Sequence, residues 1–377
     1  MYGSLKQQMV FSLQRSVDLG VRLTNSQHLF PLSDKVWTIV YSTIDPQKTP
    51  GLPFQAAGMS LNSMVDELLL RRLLEQRLHA LRNTSYEAIR SMSYHECFEK
   101  GLCYHPKIFT KREFTKKAKI ARNIYAHSVV DRLSLALLFH NLLISITSQW
   151  CDPLSGSSIG INFEEAKEFH SVVSSFSSKL GADDCKSWEY TFREEFYLAF
   201  SEAIIEAFKP DDVTADLISK SLLILSKPPA VVLMDGSIIT LPHSIMTSGC
   251  LLTHILNTIT RCSLAELGFH GSPSLLVTQK SNGDDNVGAF TESSSKFHCD
   301  MGLLVESQFC DDGSFSFCSR VFTSEGSCPE NIDKMTANLL LNEFEAERYN
   351  SFLREIDSHP NKVEIIELLN FVRAECQ

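Results

Sequence analysis

The stretch Ser281-Asn282-Gly283-Asp284-Asp285-Asn286 lies between two apolar runs, Leu275 to Thr278 and Val287 to Phe290. Asn and Gly tolerate the positive φ that a tight hairpin demands, so the spacing predicts two strands joined near Asn282-Gly283. Two adjacent carboxylates then stand at or just past the turn. Side by side they repel, and a stable fold must supply a cation, hydrogen bonds or full solvation. Asp and Gly are ordinary turn residues, so the tripeptide alone equally fits a solvated acidic turn. The rest of the chain has to decide between the two.

Its 377 residues, 44% of them hydrophobic, can bury a large core, and the length suggests two or three lobes. No run of eighteen apolar residues occurs, and the segment Leu133 to Ile146 is broken by His140 and Asn141, so no intrinsic membrane span is expected. The N-terminus lacks the basic, apolar and small-residue order of a secretory signal. Eleven cysteines at irregular spacings, with no CxxC pair, fit free thiols in a reducing compartment rather than a disulfide framework or a zinc ribbon. A net charge of −10 argues against a protein that coats nucleic acid by overall positive charge. The basic residues are nevertheless concentrated: Lys107, Lys111, Arg112, Lys116, Lys117, Lys119 and Arg122 face the single acid Glu113. So lopsided a block in an acidic chain suits an anion such as phosphate, against the plainer reading of a solvated helix face.

Working outward, Val36 to Tyr41 reads as a strand, and Thr49-Pro50-Gly51-Leu52-Pro53-Phe54 as a rigid loop with two fixed φ angles. Apolar residues at helical spacing run from Leu61 to Leu81, and further helices are expected over 129–146, 163–179, 192–208 and 211–225, the last capped by Asp211 or Asp212. Cys151 to Gly160 reads as a surface loop, and 181–190 as a short strand carrying acids. Ala230 to Met234 and Ser237 to Leu241 form a hairpin through Asp235-Gly236, and Ser248-Gly249 opens a helix to about Leu267. After the acidic hairpin come a helix over 292–301, strands over 303–309 and 315–322, and helices over 330–356 and 363–374. This order predicts an α+β fold, a sheet layered on helices. Such a sheet can bring Asp184 beside Asp284, where hard carboxylate oxygens suit two divalent cations about 4 Å apart.

Taken together, these motifs resemble viral RNA-dependent RNA polymerases, and among them those of sobemoviruses and sobemo-like positive-strand RNA viruses. The resemblance runs from about Thr49 to Phe322. Thr49-Pro50-Gly51-Leu52-Pro53 looks like the template-entrance loop, and Lys111 to Arg122 followed by Ile124 like the basic fingers motif. Asp184 and Glu189, five apart, look like the first palm motif; Ser248-Gly249, Thr253 and Asn257 fit SGxxxTxxxN; Gly283-Asp284-Asp285 fits the catalytic GDD hairpin; Phe317-Cys318-Ser319 looks like the primer grip. Each is weak alone, but their order and spacing are specific.

The resemblance implies a right hand of fingers (1–178, with the entrance loop near 49–54 and the basic motif at 107–124), palm (179–322, with a fingers insertion near 208–245) and short thumb (323–377). It implies template-directed nucleotidyl transfer from nucleoside triphosphates to an RNA 3′-hydroxyl. Asp184, Asp284 and Asp285 would hold Mg²⁺, with Mn²⁺ as an alternative. Lys117, Lys119 and Arg122 would hold the triphosphate; Glu189, Ser248, Thr253 and Asn257 the nucleotide and its ribose. Thr49, Pro50, Gly51, Gly249, Cys318 and Ser319 would meet template or primer. Two positions depart from the family pattern. Glu189 stands where an Asp is common, and Glu306 where a lysine donates a proton to pyrophosphate, leaving Lys296 or His298 as substitutes. Expected partners are RNA, nucleoside triphosphates, and a viral protein primer or membrane-tethering replication protein, at membrane-associated replication complexes in the host cytoplasm. The chain is then either a minimal polymerase or a piece of a longer polyprotein. A reverse transcriptase is disfavoured, because the SGxxxTxxxN helix favours RNA synthesis and that family usually carries an aromatic or Met-containing tetrapeptide ending in Asp-Asp where this chain has Gly283-Asp284-Asp285. A catalytically silent RNA-binding scaffold is disfavoured because three converging carboxylates repel RNA.

Overall fold

The computed structural model describes residues 1–45, 50–54, 67–110, 122–310, 313–341, 346–357 and 359–375. In α1 (Tyr2–Asp18) Leu5, Met9 and Leu13 recur every four residues and are buried, one stripe of a 3.6-residue period. In α2 (Asp34–Tyr41) the Ser33 side chain accepts from the Val36 amide and Asp34 occupies the first turn. Cap and dipole therefore both favour a helix. The run Val36 to Tyr41, strand-like in composition, is helical, and its buried residues Trp37 and Val40 are three apart. β propensity is too context-dependent to outweigh a cap and an apolar stripe.

Next come α3 (Glu67–Asn83), α4 (Tyr86–Ser91) and α5 (Tyr94–Glu99). β1 (Lys107–Thr110) pairs antiparallel with β2 (Asn123–Ala126), and α6 (Val129–Thr147) follows directly. By length and composition α6 could cross a membrane, yet 67% of its most apolar window is buried within the fold. It packs against α2 and α3 as a central core helix. α7 (Ala166–Ser174) precedes β3 (Leu180–Cys185), α8 (Trp188–Thr191), α9 (Glu194–Phe208) and α10 (Asp212–Leu225), the last capped by Asp211, which accepts from the Thr214 amide. β4 (Ala230–Val232) and β5 (Ile238–Thr240) form the expected hairpin, and β4 also pairs parallel with β1 to give the sheet β2-β1-β4-β5.

The chain continues through α11 (Thr253–His270), β6 (Gln279–Asn282), β7 (Asp285–Ala289), α12 (Glu292–Asp300) and β8 (Val305–Cys310). The expected strand over 275–278 is not one. Leu275 and Leu276 are exposed, and β6 begins only at Gln279. The expected single strand over 315–322 is two, β9 (Phe315–Phe317) and β10 (Arg320–Thr323), because Cys318 and Ser319 both adopt positive φ and reverse the chain. β11 (Gly326–Pro329) completes that three-stranded sheet. Within 330–356 the described residues form α13 (Ile332–Leu341) and α14 (Ala346–Glu355), and α15 (Lys362–Glu375) follows.

The central sheet has the order β6-β7-β3-β8, antiparallel throughout. Leu180, Ala182 and Val287 point from one face into an aromatic core with Phe169 of α7 and Phe315, Phe317 and Phe322 of the small sheet. Helices α11 and α12 pack near β6, β7 and β8, and Asp183 and Cys185, of opposite parity to Ala182, turn away from that aromatic core. The result is the predicted α+β layering.

Candidate active site

The register of the hairpin settles where its carboxylates stand. Asn282 pairs with Asp285, so the two loop residues are Gly283 and Asp284, not Asn282 and Gly283. Gly283 has φ +68°, the first-position glycine of a two-residue hairpin loop. Helix α11 holds this loop through residues on successive turns of one face. The Gly283 amide donates to Thr258 Oγ1 at 2.9 Å, Arg261 Nε donates to the Asp284 carbonyl at 3.2 Å, and His254 Nε2 pairs with Asn282 Oδ1.

Across the sheet, Asp183 pairs with Asn286 on one side, and Asp184 pairs with Glu306 on the other. Continuing the first register by one residue sets Asp184 opposite Asp285. Partners in register share a face, so Asp184, Asp285 and Glu306 gather where the cover provided by α7 ends. They line a cleft of about 210 Å³ with Phe317, Cys318 and Ser319 of the β9–β10 turn. Burial first, then repulsion from Asp284 and Asp184, pushes the Asp285 carboxyl up to about 7. Asp284 is also raised, chiefly by burial and further by Asp184 and Glu189, while Arg122 opposes the rise. Burial and the neighbouring acids lift the Cys318 thiol above its ordinary range, and its hydrogen bond to Asp285 ties the second hairpin to the first.

Among the described residues Lys186 pairs with Glu306 and Arg122 acts on Asp284, while Asp184, Asp284 and Asp285 repel one another; their donors are hard oxygens of the kind Mg²⁺ and Mn²⁺ prefer. Among the described residues no three His, Cys, Asp or Glu side chains are already gathered tightly enough to hold a metal ion.

Beneath the acids, Arg261 is fully buried; Nη2 donates to Asp183 Oδ2 at 3.3 Å and Nη1 to His298 Nε2 at 3.0 Å. Burial and the Arg261 charge push His298 down from 6.5 to about 3. His298 is therefore a neutral acceptor within the fold, not a proton donor to the cleft, whereas Lys296 is exposed on α12. The unfolded chain binds this proton near pH 6.5 and the folded chain only near 3. The contribution to stability is full above pH 6.5 and falls as pH drops through that window. Between pH 7 and 5 the wild type should lose about 2 kcal/mol from this group, and His298→Gln, which keeps an acceptor for Arg261, should lose correspondingly less; urea unfolding at the two pH values checks this.

The loop before α11 rests on β2. Tyr125 N donates to the Ser248 carbonyl at 3.0 Å and Ser248 Oγ to the Asn123 carbonyl at 3.1 Å. Gly249, at φ +109°, leaves no room for a side chain, since a Cβ there would stand 2.3 Å from the Tyr125 carbonyl oxygen. This close approach requires the glycine. Thr253 Oγ1 donates to the Thr247 carbonyl at 2.9 Å, and so closes the loop on the helix. One turn on, Asn257 Oδ1 is buried with no hydrogen-bond partner among the described residues.

No family model matches the chain. Over 281 residues, 70% of this chain, it is 26% identical to the replicase polyprotein P2AB of Southern cowpea mosaic virus, and it spans 28% of that polyprotein. The sicinivirus 3Dpol RNA-dependent RNA polymerase superposes with a TM-score of 0.56, over 74% of this chain and 59% of that one, at 16% identity. The chain has the fold of a viral RNA-dependent RNA polymerase.

Within that polymerase fold, Asp184, Asp284, Asp285 and Glu189 interact electrostatically, and Arg122 reaches Asp284 through its charge. Ser248 and Gly249 precede α11, Thr253 and Asn257 lie in its first two turns, and Cys318 meets Asp285. Ser319 is exposed at its turn, and Pro50 and Gly51 are buried. Thr49, Lys117 and Lys119 lie outside the described residues. Sequence reasoning gave no role to His254, Thr258 and Arg261. Their signal was polar residues at i, i+4 and i+7, which share one helix face. It also missed Lys186, whose ammonium pairs with Glu306 beside Asp184.

Proposed function

We propose that this chain synthesises RNA on an RNA template, adding ribonucleotides to a 3′-hydroxyl. The observation that carries the reading is the meeting of Asp184 on β3 with Asp284 and Asp285 on the hairpin, next to a helix that presents an unpaired Asn257 amide oxygen. In the reaction the 3′-hydroxyl gives its proton up to solvent as its oxygen bonds the α-phosphorus, the bond from the α-phosphorus to the bridging oxygen breaks, and pyrophosphate leaves with that oxygen. Asp184, Asp284 and Asp285 would hold Mg²⁺, or Mn²⁺. The bound ions supply activation of the attacking hydroxyl and neutralisation of the leaving charge.

Around the acids, the chain's own groups position the reactants. Arg122, with Lys117 and Lys119, holds the triphosphate, for which a guanidinium offers paired donors. Asn257 takes the ribose 2′-hydroxyl on its free oxygen, with Glu189 and Ser248 at its side, and Thr253 keeps the loop in place. Cys318 and Ser319 support the primer end, and Thr49, Pro50 and Gly51 border the template. Residues 1–178 then serve mainly as fingers, 179–322 as palm with a fingers insertion near 208–245, and α13 to α15 as a short thumb. RNA replication of this kind would occur in the host cytoplasm, with a viral protein primer or a membrane-tethering replication protein as partner.

The test is primer extension on a short RNA template with Mg²⁺, offering ribonucleotides and deoxyribonucleotides separately. Ribonucleotide incorporation is the expected result. Preference for deoxyribonucleotides would make it a reverse transcriptase, and RNA binding without incorporation would make it a scaffold.

A further inference from the structure

Between β2 and the start of α6 the chain passes through Asn123 to Val129, and two separate loops rest on this one segment. On one side Val129 N donates to the Pro50 carbonyl at 2.7 Å, and a Cβ on Gly51 would stand 2.3 Å from the His127 carbonyl oxygen. On the other side Tyr125 N and the Asn123 carbonyl hold Ser248, and the Tyr125 carbonyl crowds Gly249. The buried His127 side chain joins the two sides, with Nε2 2.8 Å from Thr247 Oγ1. Thr247 in turn accepts from Thr253 at the start of α11, one turn before Asn257.

We propose that Asn123 to Val129 is a clamp coupling the Pro50-Gly51 loop to the Ser248-Gly249 loop, and that His127 is a positioning residue which sets ribose discrimination through Thr247. The inference rests on the polymerase reading. His127's backbone abuts the loop assigned to the template, while its imidazole orients the loop assigned to the nucleotide. A shift in the first is transmitted to the second through a single rigid strand end. Burial pushes the imidazole down to about 4 against a smaller opposing effect of Asp131, so the bond to Thr247 is made by a neutral ring.

The experiment compares wild type with His127→Leu, Thr247→Val, the double variant, and His127→Gln, whose amide can reach the Thr247 hydroxyl. One readout is the ratio of kcat/KM for ribonucleotide over deoxyribonucleotide. The other, independent of activity, is hydrogen exchange of residues 244–252 in the free protein. Each single variant should lower discrimination about tenfold, the equivalent of one buried hydrogen bond, and the double variant no further. Exchange over 244–252 should quicken in both, while His127→Gln stays within about threefold of wild type on each measure. Unchanged discrimination in an active enzyme, additive effects in the double variant, or unchanged exchange would overturn the proposal. Thr247→Val is nearly isosteric and keeps the test alive if His127→Leu fails to fold. A wild type that incorporates nothing refutes the polymerase reading instead, and the exchange measurement still decides whether the clamp exists.

Discussion

Replacing Asp284 by Asn is expected to lower ribonucleotide incorporation by about 100- to 1000-fold while the protein becomes no less stable. The two effects have different origins. Asn keeps the size and polarity of the loop residue, and the anchor that Arg261 provides is to the Asp284 carbonyl of the backbone, which the substitution leaves alone. What disappears is one negative charge from a site where burial and the nearby Asp184 and Glu189 already disfavour it. In the free protein that charge is a cost, so its loss should hold or raise the melting temperature. In the working enzyme the same charge is the means of holding divalent cations. Primer extension and a thermal melt on the same preparation check both signs. Loss of activity accompanied by loss of stability would point to a structural role, and retained activity would remove Asp284 from the catalytic set.

Arg261→Met should destabilise the fold by about 3–5 kcal/mol, a large fraction of the stability of an ordinary domain. Arg261 is fully buried and compensates Asp183, whose side chain is only 8% exposed and whose Oδ1 has no hydrogen-bond partner among the described residues. Met fills much of the volume but leaves that carboxylate alone in the interior, together with the unpaired His298 Nε2 and Asp284 carbonyl that Arg261 satisfied. Adding Asp183→Asn should recover part of the loss, because the uncompensated charge is then gone. Urea unfolding of the single and double variants measures both numbers. A single variant within about 1 kcal/mol of wild type would mean that Arg261 does not carry the buried charge balance.

The presence of a hairpin near Gly283, the Asp211 cap, the β4–β5 turn and the helices over 129–146 and 211–225 are legible from the chain because their signals are local: a turn glycine, a capping side chain, a 3.6-residue period. The same local reading failed where two local signals competed. β-branched residues in 36–41 argued for a strand while Ser33 and Asp34 argued for a helix, and burial of Trp37 and Val40 against the core tipped the balance. It failed again at 275–278, where apolar Leu275 and Leu276 stay exposed and the less apolar run Gln279 to Asn282 is the buried strand. Apolar composition indicates what can be buried, not what is paired.

The sequence by itself determined the inventory: which acids, which turn residues, and the order in which the motifs follow one another. The tertiary structure alone decided that Asp184, Asp285 and Glu306 share one face, that Arg261 lies beneath them paired with Asp183 and bonded to the neutral His298, and that Asn123 to Val129 touches two loops at once. Those facts depend on strand register and on burial among residues up to a hundred or more positions apart. Pairing of that range is set by the total energy of the packed sheet and helices, and no window of neighbouring residues contains it.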